Sequence, residues 1–245
     1  MIPSKNPVLT AIHLRWAVNG KLLINIPNLT LPPGVTWLGG GEGRGKTTLL
    51  RILAGELVNP QSELRLGEHT LAAQPGSLGG TAFRADTGGA CAAGGANQRE
   101  GAKRDAVQAP GAYQQNVAWF DPQISTFDPV VMQDLFNATA DRFPHWNGAL
   151  LAYLTVALGL GPHLHKPLYM LSTGTKRKVW LCTGLASGAA LTLLDEPFAA
   201  LDKSSIRCVL DFLTEAANHP TRAWVVADYQ APAGVPLAHT IDLGD

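Results

Sequence analysis

Apolar positions repeat along this chain at two different periods. Val8, Thr10, Ile12, Leu14 and Trp16 recur with period two, and short apolar runs follow at 22–26 and 35–38, divided by Asn19-Gly20 and by Pro32-Pro33-Gly34. These features predict strands joined by turns. Residues 46–56 contain no proline, and Leu49, Leu50, Ile52 and Leu53 form a helix-compatible pattern that stops near Gly55. A helix is predicted there, directly after a strand and a glycine-rich turn. Farther along, 117–120 predicts a strand. Asp128 as N-cap and Pro129 at the first helical position predict a helix start, with helical segments over 130–142 and 147–160 parted by Phe143-Pro144. Ser172 can cap a helix running to about residue 187, and Asp202 one over 203–218; the runs 191–194 and 223–227 suit buried strands. Strands alternating with helices predict an α/β fold with a mostly parallel sheet.

Composition adds one boundary. Between residues 75 and 112, nine Gly and ten Ala fill half of the positions, and Leu78, Phe83 and Val107 are the only larger apolar side chains. Too little apolar surface is available there to offset ordering entropy, so a flexible insertion is expected. The remainder is rich enough for a core, since 46% of the chain is hydrophobic. Nineteen basic residues cancel nineteen acidic ones, which argues against nucleic acid as a partner. The longest apolar stretch, 149–161, is interrupted by Tyr153 and Thr155 and falls short of the roughly 18 residues a bilayer span requires. No secretory pattern stands at the N-terminus, so the expected location is cytoplasmic. Cys91, Cys182 and Cys208 have no metal-ligand spacing, and His145, His163 and His165 are expected on solvated turns.

The candidate chemistry begins at GGEGRGKT, residues 40–47, which fits GxxxxGK[ST] between a predicted strand and a predicted helix. Gly40, Gly41, Glu42, Gly43, Arg44, Gly45 and Thr48 supply or flank a loop whose backbone N–H groups can turn toward phosphate oxygens at a helix N-terminus. Lys46 can reach the β and γ phosphates, and the Thr47 hydroxyl can ligate Mg²⁺. The run LTLLDEP, residues 191–197, ends in two carboxylates. At a strand end, Asp195 can hold Mg²⁺ through its water shell and Glu196 can polarise a water. Ser172, followed by Lys176, Arg177 and Lys178, reads as an N-capped helix with an exposed basic turn.

In combination these segments resemble the nucleotide-binding subunit of ATP-binding cassette (ABC) proteins. Residues 40–55, GGEGRGKTTLLRILAG, look like that family's Walker A loop and first helix, and 171–175, LSTGT, like its signature motif. Residues 191–197 look like the Walker B strand, 199–202 (AALD) like the D-loop ending in Asp202, and Gln123, after WFDP, matches the Q-loop glutamine. The resemblance implies a P-loop NTPase (RecA-like) core with an antiparallel β subdomain and an inserted helical subdomain. The expected division is core and β subdomain at 1–74 and 113–124, the insertion at 75–112, the helical subdomain at 125–180 and core again at 181–245. It further implies a head-to-tail dimer in which Ser172 and Gly174 of one chain face the γ phosphate held by Lys46 of the other. Gln123 would link Mg²⁺ to the helical subdomain, which would dock on a membrane-embedded transporter subunit at the inner face of the membrane.

Several positions depart from the family pattern. Glu42 stands where Asn is usual, and Thr173 and Thr175 replace Gly and Gln of the signature. Tyr229 falls at the position of the family's H-loop histidine; a phenol can donate a hydrogen bond but cannot be protonated near neutrality as imidazole can. This change bears on turnover more than on ATP binding. Trp16 is the aromatic nearest the place of the family's adenine-stacking side chain, and packing within the β subdomain is the competing reading. The expected function is an ATP-binding and ATP-hydrolysing subunit of an ABC-type transporter with ATP and Mg²⁺ as ligands. The alternatives are an ATP-gated dimerisation module with little hydrolysis, or a soluble ABC assembly protein.

Overall fold

The computed structural model describes residues 6–72, 111–121 and 125–244. Gln123, Cys91 and nearly all of the 75–112 insertion lie outside the described residues.

The described residues form two sheets. The first is antiparallel, in the order β2-β1-β4-β5, from β1 (Leu9–Val18), β2 (Lys21–Leu31), β4 (Glu63–Leu66) and β5 (His69–Ala72). The second is the five-stranded order β6-β7-β8-β3-β9, from β3 (Gly34–Gly39), β6 (Val117–Trp119), β7 (Leu191–Asp195), β8 (Ala223–Ala227) and β9 (His239–Asp242), and every neighbouring pair in it is parallel. Helices α1 (Lys46–Leu53), α2 (Met132–Arg142), α3 (Gly148–Ala157), α4 (Thr173–Ala186) and α5 (Lys203–Ala216) complete the α/β fold expected from the sequence.

Both faces of the parallel sheet are covered, which explains why its strands read as unbroken apolar runs. Leu191, Leu193, Ala223 and Val225 point into a core shared with α1 and the antiparallel sheet. Leu194, Trp224 and Val226 point the other way, against Val179, Leu185, Val209 and Leu213 of α4 and α5. Each such fully buried Leu or Val contributes about 1.5–3 kcal/mol relative to exposure. Tyr113 fastens the returning chain to α1, its buried hydroxyl donating to the Leu53 carbonyl at 2.7 Å.

Two local outcomes differ from expectation. The period-two set of β1 changes phase: Leu9, Ala11 and Leu14 are buried while Ile12 is exposed, and the switch falls at His13, whose φ is 54°. Asp128 does not cap a helix. α2 begins at Met132 with Val131 before it, while Asp128 lies in a turn and pairs with Lys176 at 2.6 Å. Helix α4, which Ser172 caps as expected, packs on both α3 and β7.

The β4–β5 hairpin and β9 were not predicted. Leu64 and Leu66 alternate, and Gly67, at a φ of 57°, makes the tight connection, so that hairpin carried a short signal. Strand β9 buries only Ile241 and carried none.

Candidate functional site

Parallel strands deliver their C-terminal ends to one edge of the sheet, where loops meet. Here β3 runs into residues 40–45, its neighbour β8 into Asp228 and Tyr229, the next strand β7 into Asp195 and Glu196, and β6 toward Asp121. Residues far apart in sequence therefore converge.

The 40–45 loop turns back onto the N-terminus of α1 through Gly43 and Gly45, at φ 70° and 96°. Leu23 and Ile24 of β2 lie so close to Gly45 that a Cβ there would meet both side chains. Glu42 is exposed. Lys46, only 7% exposed, curls under the loop and donates to the carbonyls of Gly40 at 2.7 Å and Gly41 at 2.9 Å. Its ammonium also sits 4.0 Å from the centroid of the Tyr229 ring.

Across from the loop, the Thr47 hydroxyl donates to the Asp195 carboxylate at 2.7 Å. Burial pushes the Asp195 carboxyl up, as do the neighbouring Glu196 and Asp121 carboxylates, while the Thr47 hydrogen bond and the Arg177 guanidinium pull it down. Glu196 follows at a φ of 44°, its N–H donating to the Ala227 carbonyl at 2.8 Å. Asp228 is also pushed up, by burial first, and its carboxylate accepts from the Tyr229 N–H at 2.7 Å. Desolvation, then the carboxylates of Glu42, Glu196 and Asp228, push the Tyr229 phenol up from its ordinary value.

The signature segment sits at the start of α4. Ser172 caps the helix, its hydroxyl accepting from the Thr175 N–H at 3.2 Å and paired with the Thr175 hydroxyl at 2.9 Å. Thr175 thus supports the cap. Gly174 lies against the Ala200 carbonyl, where a Cβ would collide. Asp202 caps α5 by accepting from the Ser205 N–H at 2.8 Å and pairs with Lys178 at 2.6 Å.

The basic turn of α4 is not a solvated face. Lys176 reaches Asp128, Lys178 reaches Asp202, and Arg177 donates to the main-chain carbonyls of Asp195 and Glu196. The triplet pins one helix to three segments, which a run of like charges in the sequence gives no means of foreseeing. Trp16 packs beside Ile24 at the margin of the first core. His145 and His165 are exposed, and His163 is half-buried beside Lys166 at 3.1 Å.

Among the described residues no helix is long and apolar enough to cross a membrane. Residues 24–199 match the family model described as ABC transporter. The cytochrome c biogenesis ATP-binding export protein CcmA of Pseudomonas syringae pv. syringae is 28% identical over 220 residues, covering 89% of this chain and 86% of that protein. The nickel import ATP-binding protein NikO of Rhodobacter capsulatus is 29% identical over 232 residues, covering 91% and 80%. A solved structure from Pyrococcus furiosus attributed to an ABC transporter (ATP-binding protein) superposes with a TM-score of 0.64 at 18% identity, over 96% of each chain. That likeness carries the fold. With a glycine loop, a buried lysine and two strand-end carboxylates at one sheet edge, and with a match spanning most of its length, the chain belongs to the ABC transporter family, as a nucleotide-binding subunit.

Proposed function

We propose that this chain hydrolyses ATP with Mg²⁺, acting as a pair of cassettes that drives a membrane-embedded partner from the cytoplasmic face. The observation that carries this reading is the 2.7 Å bond from Thr47 to Asp195, which joins the phosphate loop to the acidic strand. Two hard oxygen donors this close suit Mg²⁺, which usually takes one or two protein oxygens and fills its shell with phosphate and water. Among the described residues there is no cluster of three His, Cys, Asp or Glu side chains that could form a protein cage, so the ion would be held together with the substrate. Gln123 would add a further ligand. Bound there, Mg²⁺ would neutralise charge on the β and γ phosphates.

The chain's own groups divide the remaining work. The N–H groups of residues 40–48 and the N-terminus of α1 would receive phosphate oxygens, and Lys46 would exchange its loop carbonyls for the β and γ phosphates. Glu196 would take the proton of the attacking water. Tyr229 would offer its hydroxyl toward the γ phosphate. Ser172 and Gly174 would meet the γ phosphate of a second copy, and Asp202 would lie near that junction. Exposed apolar side chains on the helical part, Tyr153 and Val156 on α3 and Tyr169 and Met170 ahead of α4, support docking on a membrane partner.

The test is Mg²⁺-dependent phosphate release by the full chain at high concentration, beside Glu196→Gln and Lys46→Ala. Release well above both variants is expected, and recovery of a membrane protein with ATP-trapped Glu196→Gln would identify the partner. A wild-type rate equal to both variants, with ATP still bound, favours the second reading. That reading is an ATP-gated module with little hydrolysis, and it is supported by Tyr229 standing over Lys46 in place of a titratable imidazole.

A further inference from the structure

Glu196 occupies a backbone region that non-glycine residues seldom enter, with φ at 44°. Its main chain must therefore be held by its surroundings. The N–H is fixed to Ala227 of β8 at 2.8 Å, and the carbonyl accepts from the Ala199 N–H at 3.1 Å within its own turn. The third hold comes from Arg177 on α4. One guanidinium nitrogen donates to the Asp195 carbonyl at 3.1 Å and to the Glu196 carbonyl as well. The side chain reaches them through a cleft lined by Phe120, Trp180, Leu193 and Pro197, with Phe120 and Trp180 stacked at 5.6 Å between centroids.

Backbone torsions decide which rotamers a side chain can adopt, so whatever fixes the Glu196 main chain also fixes where its carboxylate points. The guanidinium stays charged at any working pH, and a single one of its nitrogens spans both adjacent carbonyls. Arg177 also lies one helical turn beyond Gly174 on the helix that Ser172 caps. Displacement of that helix would be felt at Glu196 without passing through the phosphate loop.

We propose that Arg177 is a positioning residue for ATP hydrolysis, aligning Glu196 through the Asp195 and Glu196 carbonyls and coupling that alignment to the N-terminal turns of α4. The inference rests on the reading of Glu196 as the base. Arg177 acts on the main chain and not on the nucleotide, so its loss should lower kcat and spare binding.

The experiment compares wild type, Arg177→Met, Arg177→Lys and Glu196→Gln, measuring phosphate release, affinity for a fluorescent ATP analogue and thermal midpoint. Arg177→Met is expected to lose about tenfold or more in kcat, the scale expected of a small misplacement of a reacting group, with analogue affinity within about twofold. Arg177→Lys should recover part of the rate at the same affinity. An Arg177→Met rate equal to wild type overturns the inference, as does a parallel fall in kcat, affinity and thermal midpoint that Arg177→Lys does not relieve. If wild type itself turns over no faster than Glu196→Gln, the hydrolytic reading fails and the inference fails with it.

Discussion

The Lys46 ammonium lies 4.0 Å from the centroid of the Tyr229 ring while donating to the Gly40 and Gly41 carbonyls, so the loop's principal cation is already engaged on two sides. A nucleotide must compete for it. Replacing the ring by Tyr229→Ala removes one competitor and should tighten binding of a fluorescent ATP analogue by about two- to fivefold, the scale of an exposed cation–π contact. Tyr229→Phe keeps the ring and loses the hydroxyl offered to the γ phosphate, so it should show no such tightening. Tyr229→His restores a titratable donor and should raise phosphate release by about tenfold or more. Weaker binding in Tyr229→Ala would mean that the ring orders Lys46 for phosphate instead of competing with it.

The bond between Thr47 and Asp195 carries the proposed metal site. Chelation with EDTA should reduce phosphate release to background while nucleotide remains bound. Thr47→Val should raise the Mg²⁺ concentration for half-maximal release by about tenfold, the usual scale for disturbing a metal's immediate surroundings. Its nucleotide affinity in EDTA should stay within about twofold of wild type. Unchanged Mg²⁺ dependence in Thr47→Val would place the ion elsewhere.

Gly174 has no room for a methyl group, because a Cβ would collide with the Ala200 carbonyl. Gly174→Ala should cost about 1–3 kcal/mol through overpacking. In a chain of this size the thermal midpoint should fall by roughly 2–4 °C for each kcal/mol. Phosphate release should fall as well, since the displaced backbone leads into Asp202. A midpoint equal to wild type would mean that the turn after β7 yields freely.

Asp202 performs two tasks that substitutions can separate: it caps α5 and pairs with Lys178. Asp202→Asn keeps a capping oxygen but gives up the Lys178 ion pair, so it should lower the midpoint by less than Asp202→Ala, which loses both and should fall by a few degrees. The Lys178 ammonium, with hydrogen bonds from Ser204 and Ser205, holds the Asp202 carboxyl well below the usual carboxylate range. A depressed folded-state pKa means that the stabilisation is fully present above about pH 4 and is lost as pH falls below it. Thermal melts of Asp202→Ala and wild type should therefore converge only in strong acid.

Much of the site was readable because it is encoded locally. The phosphate loop is one uninterrupted segment; the acids at 195 and 196 end one apolar run; Ser172 and Asp202 each cap the helix that follows at once. Arg177 was not readable. Its partners are main-chain carbonyls 18 and 19 residues away, and a carbonyl has no identity in a sequence. The ion pair of Asp128 with Lys176 was equally hidden, since the two lie 48 residues apart.

The sequence by itself determined most of the segments that become strands and helices, and it offered the candidates for phosphate, metal and proton chemistry, because period, capping and glycine placement act over a few residues. Only the tertiary structure decided how those residues stand toward one another: that β8 lies between β3 and β7, so that Tyr229 covers Lys46, and that α4 fastens Glu196 from behind. Strand order and main-chain contacts depend on packing across the whole sheet, and no local pattern records them.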